Sequence, residues 1–440
     1  MHPSAPPPAT VPFGAALRYW LKLGFISFGG PAGQIALMHA ELVERRRWIS
    51  EQRFLHALNY CMLLPGPEAT QLAIYIGWLL HRTRGGIAAG ILFILPSLLL
   101  LVLLSWIYMA YGHVPAIAGV LGGIKPAVVA IVIAAAWRLG RRTLGNAALA
   151  LVALAAFVAI GVFGTPFPLV VLGAALAGVA GARLRPDWFR PGGASTVRAA
   201  GHGPALIDDD TPTSAHARFS WAGLGRVAAA GGGMGLACWA ALAAAWGPEG
   251  ALARMGWFFT KAALMSFGGA YAVLPYVVQG AVERYGWLGA GQMIDGLALG
   301  ETTPGPLIMV VAFVGFVGGW THRLFGPEAP FLAGAAAAGV AALFTFLPSF
   351  VFILAGGPLV EATRGDLRMT APLTAISAAV VGVIASLALY FGAHVFLADG
   401  VPRWPAIAIG IVATVGLLRY KIDTIRLLLA CAVAGLLISY

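Results

Sequence analysis

Apolar stretches that are long enough to cross a bilayer recur along the whole chain, and they limit its fold more than any other feature. A helix needs about 20 predominantly apolar residues to span the hydrocarbon core. Only 10% of the residues are charged and 60% are hydrophobic, whereas soluble domains carry roughly 25% charged residues. The sequence therefore predicts an all-α polytopic membrane protein rather than a soluble globular one.

A repeat in fixed register divides this chain into two copies of one module. SFGG occurs at residues 27–30 and again at 266–269, which is an offset of 239 residues. The same offset aligns several other pairs: Lys22 with Lys261, VER 43–45 with VER 282–284, Trp48 with Trp287, and PGP 65–67 with PGP 304–306. LPS occurs at 95–97 and at 347–349, so the second copy is 13 residues longer. We expect this extra length around residues 322–334.

The order of apolar and polar segments predicts four parts. Residues 12–182 form the first membrane repeat and residues 254–440 the second, each with about six apolar segments. The polar stretch 183–220 is predicted to be a cytoplasmic loop, and 221–247 a linking transmembrane helix. One extra crossing between two six-segment modules inverts the second one. Inverted repeats of this kind are typical of secondary transporters, whose binding site lies near the midplane where the repeats meet.

The first two segments of each repeat are interrupted by SFGG and PGP, and these interruptions leave two topologies open. If both segments cross the membrane fully, the arginines at 45–47 lie outside. If each is a re-entrant hairpin, those arginines lie on the cytoplasmic side with Arg82 and the arginines at 138–142, as the positive-inside rule favours. We favour the broken or re-entrant form. Either way, the basic residues serve orientation, and their distribution indicates no nucleic-acid partner.

The interruptions are the candidate substrate site. Irregular backbone at membrane depth persists only where protein or a water-filled cavity surrounds it. Glycines allow the sharp turn, and the helix that restarts after it presents N–H groups and partial positive charge to an anion. A lysine within the membrane costs about 2.5–3.5 kcal/mol, so it usually has a function. The predicted substrate-binding residues are Lys22, Ser27, Gly29, Gly30, Gln34, Pro65, Gly66 and Gln71, with Lys261, Ser266, Gly268, Gly269, Thr302, Thr303 and Gly305.

Two carboxylates flank the PGP interruptions on opposite sides, Glu68 after the first and Glu301 before the second. Because intramembrane carboxylates often carry protons in transporters, both are candidates for proton coupling. Structural alternatives remain open at this stage. Glu68 suits a helix start, the interruptions suit close helix packing, and Lys22 could extend its amine to the interface. Lys125, in GGIKPAVV, is an interior charge to which the sequence gives no function.

Several functional classes are disfavoured. No Ser/His/Asp or Cys/His set has a workable spacing, so we expect no enzyme and no cofactor. Cys61, Cys238 and Cys431 lie far apart without CxxC spacing, which predicts neither a disulfide framework nor a metal site. No GxxxxGK[ST] motif occurs, so nucleotide-driven pumping within this chain is not expected.

Two long segments resemble the chromate ion transporter family in its long, two-domain form. They are FGGPAGQIALMHAELVERRRWISEQRFLHALNYCMLLPGPEATQLAIYIGWLLHRTRGG and SFGGAYAVLPYVVQGAVERYGWLGAGQMIDGLALGETTPGPL. The resemblance implies a multi-pass exporter of chromate in the cytoplasmic (inner) membrane, driven by the membrane potential or the proton gradient and conferring chromate resistance.

Two other functions stay open beside that one. The first is transport of a related oxyanion such as sulfate, and the second is a non-transport scaffold or lipid-handling protein in the bilayer. Whether two copies form a homodimer is also left open by the sequence.

Overall fold

The computed structural model describes residues 10–185, 188, 204–212, 214–267, 269–362, 371–398 and 400–439. The helices of the first half are α1 (Phe13–Ile26), α2 (Gly30–His39), α3 (Glu51–Leu63), α4 (Glu68–Tyr111), α5 (Pro115–Thr143), α6 (Ala147–Gly161) and α7 (Phe167–Leu184). Helix α8 (Trp221–Trp246) follows, and none of its residues is buried against the rest of the described chain.

The second half contains α9 (Ala251–Leu264), α10 (Ala270–Val277), α11 (Ala290–Thr302), α12 (Val310–Thr321), α13 (Pro330–Ala362), α14 (Ala371–Phe396), α15 (Trp404–Leu418) and α16 (Thr424–Ser439). A short antiparallel ribbon, β1 (Leu397–Ala398) and β2 (Val401–Pro402), precedes α15. One π-helical turn extends α2 over Ala40–Arg45, and another extends α10 over Val278–Arg284. Among the described residues, 3₁₀ turns lie at Ala215–Ala217 and Leu307–Met309.

Six of these helices are long and apolar enough to cross a membrane, namely α4, α5, α7, α8, α13 and α14. The prediction of an all-α polytopic membrane protein is confirmed. Helix α12 is apolar on every side and is buried throughout residues 310–319. A helix without a polar face belongs in the interior of a large helical protein, and α12 is accordingly packed between α4 and α13.

Helix α4 is bent into two arms at His81 and Arg82, whose backbone is not helical. The arms 68–80 and 83–111 pack against each other, so that a Cβ on Gly77 would lie 2.6 Å from the Ala89 side chain. In the second half the same turn is a longer connection, 322–329, between α12 and α13. Extra residues of the second half therefore lie in this connection.

The LPS-containing helices of the two halves, the second arm of α4 and α13, run antiparallel. At one end the rings of Trp106 and Phe331 lie 6.2 Å apart. Toward the other end a Cβ on Gly86 would lie 3.1 Å from Leu354. Equivalent helices that pack in opposite directions are the arrangement expected of an inverted repeat.

Each half also packs its last helices on the other half. Helix α6 packs so closely on α14 that a Cβ on Gly382 would lie 1.8 Å from the carbonyl oxygen of Ala153. Helix α16 packs on α5 in the same manner, and a Cβ on Gly123 would lie 2.1 Å from the carbonyl oxygen of Cys431. The two repeats are therefore interlocked rather than set side by side.

The start of α1 and the residues after α2 lie at the same end of the molecule. The His81 ring, at the bend of α4, bonds the carbonyl oxygen of Val11 at 2.9 Å. The His216 ring bonds the carbonyl oxygen of Trp78, one turn before the bend, at 3.3 Å. In the loop segment 204–212, the amide of Leu206 donates to the carbonyl of Arg47 at 2.9 Å. The chain thus leaves this end of the molecule along α1 and returns to it along α2.

Candidate functional site

The helix interruptions turn on glycines with left-handed backbone. Gly29, which precedes α2, and Gly30, its first residue, have φ of 87° and 68°, and the following Pro31 lies in the first turn of α2. In the PGP motifs, Gly66 has φ of 126° and Gly305 has φ of 101°. Side-chain-bearing residues rarely adopt such values. Gly269 before α10 has φ of 98°, while Gly268, also predicted to bind substrate, lies outside the described residues.

The interruptions of the two halves pair crosswise. The amide of Gly305 donates to the carbonyl of Ser27 at 2.8 Å, and the amide of Gly66 donates to the carbonyl of Ser266 at 3.1 Å. The PGP motif of each half therefore bonds the SFGG motif of the other. We name this region the crossing; it comprises the described residues of 27–30, 65–67, 266–269 and 304–306.

The crossing packs on the LPS motifs of the antiparallel helices. A Cβ on Gly305 would lie 2.7 Å from Cβ of Ser97, and a Cβ on Gly66 would lie 2.5 Å from Oγ of Ser349. Ser97 and Ser349 are equivalent in the two repeats. Glycine at both PGP motifs is therefore required by space as well as by φ.

The polar side chains predicted at the interruptions mainly hold the backbone in place. Buried Gln34 donates to the carbonyl of Gly305 at 2.5 Å, and buried Gln71 donates to the carbonyl of Pro65 at 2.8 Å. The hydroxyls of the predicted serines and threonines donate to carbonyls in their own helices: Ser27 to Leu23, Ser266 to Ala263, Thr302 to Leu299 and Thr303 to Gly300. The hydroxyl protons of these four residues are therefore already engaged in hydrogen bonds to the protein backbone.

The two predicted carboxylates both contact the start of α10. A Cβ on Gly269 would lie 3.7 Å from Oε1 of Glu68. Oε2 of Glu68 is buried and has no hydrogen-bond partner in the part of the chain that the structure describes. Glu301 accepts a hydrogen bond from the hydroxyl of Tyr271, in the first turn of α10. Carboxylates on opposite flanks of their motifs in sequence are thus brought to one place.

Two arginines that the sequence suggested only as orientation charges act on these carboxylates. The positive charge of Arg142 acts on Glu68, and that of Arg138 on Glu301, through space, since neither couple forms an ion pair in the described structure. The arginines are one turn apart on α5 and both are exposed. We name Glu68, Glu301, Tyr271, Arg138 and Arg142 the vestibule. It combines two exposed guanidinium groups with two half-buried carboxylates beside the crossing.

The vestibule exists once, although the fold is duplicated. By the offset of 239 residues, Glu68 corresponds to Leu307, Glu301 to Met62 and Tyr271 to Ala32. All three polar groups therefore belong to one of the two equivalent places, and their counterparts are apolar. Glu68 and Glu301 can be recognised from the sequence, whereas Tyr271 cannot, because its partner is apparent only once the halves are seen to cross.

The structure does not bring the two predicted lysines together. Lys22 is exposed on α1, beside the exposed side chains of Phe25 and Ile26. Lys261 lines a cavity of about 600 Å³ with Arg284, and its Nζ lies 5.6 Å from the Trp257 ring centre. Neither lysine has a hydrogen bond or ion pair with the crossing in the described structure.

Comparison with known proteins gives one consistent result. The family model described as chromate transporter matches residues 15–179 and 253–436. The chain is 31% identical over 448 residues to a chromate transport protein of Pseudomonas aeruginosa, covering 99% of this chain and 94% of that protein. It is 29% identical over 406 residues to a chromate transport protein of Cupriavidus metallidurans, covering 92% and 88%.

A probable chromate transport protein of Synechococcus elongatus is 26% identical over 427 residues, covering 96% of this chain and 94% of that protein. No solved structure matches the chain. The family model covers most of both halves, including every helical interruption described above. The chain belongs to the chromate transporter family.

Proposed function

We propose that this protein exports chromate across the cytoplasmic membrane, driven by the membrane potential or the proton gradient, and thereby confers chromate resistance. The observation that carries the proposal is the vestibule beside the crossing. Arg138 and Arg142 attract a dianion electrostatically, and the glycine turns beyond them bring backbone N–H groups to the interior. The relatives named as chromate transport proteins indicate which dianion this is.

The residues predicted to bind substrate have two functions in this proposal. Gly29 and Gly269 present backbone to the oxyanion. The amides of Gly66 and Gly305 are bonded across the crossing, and these two glycines, with buried Gln34, hold the interruptions in shape. Lys261 provides a cation in the cavity beside α9. Lys22, on the equivalent position of α1, provides one at the protein surface.

Glu68 makes the site responsive to protons. A carboxylate repels a dianion and a neutral carboxyl does not, so loss or gain of one proton at Glu68 changes the occupancy of the vestibule. Its unpartnered Oε2 leaves a place for that proton. Glu301 is the second candidate, although Tyr271 already occupies one of its oxygens.

Export is the favourable direction for a doubly charged anion. Moving one charge through 100 mV is worth about 2.3 kcal/mol, so expelling a dianion from a negative interior gains about 4.6 kcal/mol. Uptake would have to overcome the same free energy and would require several coupled cations.

The proposed topology is an inverted repeat with re-entrant α1–α2 and α3–α4 hairpins. Its support is the contact of residues near Val11, Arg47 and Leu206 with one end of the molecule. That end would be cytoplasmic, and the C-terminus would lie on the opposite side. A cysteine at Arg46 should react with an impermeant reagent only from the cytoplasmic side; labelling from outside would contradict the hairpins.

The test of function is flux of radiolabelled chromate in inverted membrane vesicles under an imposed potential. We expect chromate accumulation that collapses with the potential and that sulfate reduces by competition. Stronger competition by sulfate, molybdate or phosphate than by unlabelled chromate would identify another oxyanion as the main substrate. Absence of flux for all of these anions would leave a scaffold or lipid-handling function.

A further inference from the structure

Two clusters, each of one buried acid, one base and one tyrosine, join the halves of the protein, one near each end. In the first, Glu361 of α13 accepts from Arg53 through Oε2 and from the Tyr75 hydroxyl through Oε1 at 2.5 Å. Arg53 also donates to the carbonyl of Asp208 at 3.1 Å. This cluster therefore lies at the end where the loop segment 204–212 packs.

The second cluster is centred on Asp295 of α11. Nζ of Lys125, on α5, lies 3.2 Å from Oδ2 of Asp295, and the hydroxyl of Tyr108 donates to the same oxygen at 3.0 Å. Tyr108 lies in the last turn of α4, far from the bend at the loop end. Lys125 and Asp295 belong to different repeats, so this pair also connects the two halves.

The contact between Asp295 and Tyr108 has a counterpart at the equivalent positions of the repeat, beside the Glu361 cluster. Asp295 corresponds to His56 and Tyr108 to Val360, and the His56 ring bonds the carbonyl oxygen of Val360 at 3.1 Å. The same contact between halves is thus made twice. Asp295 stands where the other version of this contact has the His56 ring.

The clusters also differ in how completely the acid is satisfied. Both oxygens of Glu361 accept hydrogen bonds. Asp295 uses Oδ2 alone, and its buried Oδ1 has no partner among the described residues. A permanently ionised carboxylate in a structural pair is stable only when its remaining lone pairs are bonded as well. Glu361 meets that condition, and Asp295 leaves one oxygen open for a proton.

The basic residue and its exposure also distinguish the Asp295 cluster from the Glu361 cluster. Arginine is always charged and binds a carboxylate as a rigid fork, whereas lysine is a single, mobile point charge. The Arg53 side chain is 9% exposed and the Lys125 side chain 31%. The Asp295 cluster therefore has both a partner that can move away and a route by which a proton can arrive.

We propose that Asp295 is a proton-binding site of the transport cycle, with Lys125 as its internal counter-ion. A proton from water at the end opposite the loop segment 204–212 forms an O–H bond at Oδ1 of Asp295. The ammonium of Lys125, which keeps its own protons, is then released from its ion pair with Asp295. Loss of that proton restores the ion pair. The inference rests on the proposed transport function, and it assigns to Asp295 a step separate from that of Glu68.

Helix α11 connects this site to the crossing. Asp295 lies seven residues before Thr302, the last residue of α11, which is about 10 Å at 1.5 Å per residue. The PGP motif with Gly305 follows directly. Release of Lys125 removes the ion pair between α11 and α5. Any resulting shift of α11 is transmitted to the hydrogen bond between Gly305 and Ser27.

The charged surroundings of Asp295 are few. Lys125 from α5 and Tyr108 from α4 are its partners, and α12 carries no titratable side chain. Titratable residues on the other neighbouring elements form no hydrogen bond or ion pair with it in the described structure: Tyr390 and His394 of α14, Arg426 and Cys431 of α16, and Glu283 and Arg284 of the π-helical turn. Among these groups, a proton taken up at this site is thus bound by Asp295.

The test is chromate flux in proteoliposomes with the potential clamped, while the pH is varied on one side at a time. Wild-type flux should depend on the pH at the side opposite the loop segment 204–212. Asp295→Asn should abolish that dependence, while equilibrium binding of radiolabelled chromate is retained. The deciding variant is Lys125→Met with Asp295→Asn, which leaves no unpaired buried charge. Recovery of the wild-type pH dependence in this double variant would overturn the proposal, because the pair would then be structural.

The matched control is Arg53→Met with Glu361→Gln, which removes the other cluster in the same way and should keep the pH dependence. Loss of the dependence there as well would contradict a specific function of Asp295. Infrared difference spectroscopy on acidification supplies a readout without transport. A protonated-carboxyl band that is lost in Asp295→Asn is expected even if chromate is not the substrate, and absence of that band in the wild type would overturn the proposal.

Discussion

The amide of Gly305 donates a 2.8 Å hydrogen bond to the carbonyl of Ser27, and this bond joins the PGP motif of one repeat to the SFGG motif of the other. Its counterpart runs from Gly66 to Ser266. Reciprocal contacts of this kind are the mark of a twofold interface, where each partner uses the same surface. The centre of the protein is thus an interface between two copies of one module, made from backbone.

Gly305→Ala should disrupt this interface. The added Cβ meets Ser97 at 2.7 Å with φ at 101°, and a side chain in that backbone region costs about 1–3 kcal/mol. We expect a lower melting temperature in detergent and a loss of chromate flux. Gly122→Ala in α5 is the control, because a Cβ there meets nothing within 4 Å. Equal stability of the two variants would show that the close approach at Gly305 is not required.

Arg142→Gln should weaken chromate entry. Loss of a charged contact to an anion is worth about 1.5 kcal/mol or more, so the KM for chromate flux should rise about tenfold while the melting temperature stays unchanged. Arg141→Gln removes the same charge from the neighbouring exposed position and should have little effect. An equal change in both variants would indicate a general surface-charge effect rather than a vestibule.

Glu68→Gln should remove the dependence of flux on the pH of the cytoplasmic side while chromate binding is retained. The amide has nearly the same size and cannot change its charge, so the proton-controlled repulsion is lost. Glu41→Gln, on a surface carboxylate that pairs with Arg45 and Arg46, is the control. If Glu68→Gln keeps the wild-type profile, Glu68 is a helix-end charge and Glu301 becomes the candidate.

Lys261→Ala and Lys22→Ala should both lower chromate export at unchanged expression. Lys261→Ala should have the larger effect, because Lys261 lines a cavity whereas Lys22 is exposed on α1. Lys→Arg at either position should restore the charge and only part of the activity, since the guanidinium has a different shape. Full flux in both alanine variants would make the lysines interfacial anchors.

The segment 214–220, which contains His216, docks on the first arm of α4. This docking should weaken in acid. Burial lowers the pKa of His216 from its ordinary value of 6.5. The undocked segment therefore takes up a proton near pH 6.5, and the docked one only at lower pH. Docking should weaken as the pH falls below 6.5 and stop weakening below the docked pKa. A cysteine at the buried Ala217 should become more reactive in that window, relative to the same cysteine in His216→Gln at equal pH; parallel profiles would exclude the histidine.

The sequence predicted what depends on local pattern and on register. Helical membrane segments follow from apolar length, and the glycine turns at Gly66 and Gly305 follow from two copies of PGP at a fixed offset. Partners across the interface could not be predicted in this way. Asp295 looks like an isolated charge in DGLALG, and Lys125 an unexplained one in GGIKPAVV, because each lies in a different repeat. Arg142 was assigned only to orientation for the same reason.

The exchange of terminal helices between the repeats has a consequence for how the protein is made. Helix α5 is synthesised and inserted long before α16, and α6 long before α14, although each pair ends in glycine-mediated backbone contact. The first module therefore leaves the ribosome with surfaces that only the second can cover. Such non-local contacts close late and slowly. Biogenesis must hold a membrane-inserted half in an unfinished state until the last helix of the chain has entered the bilayer.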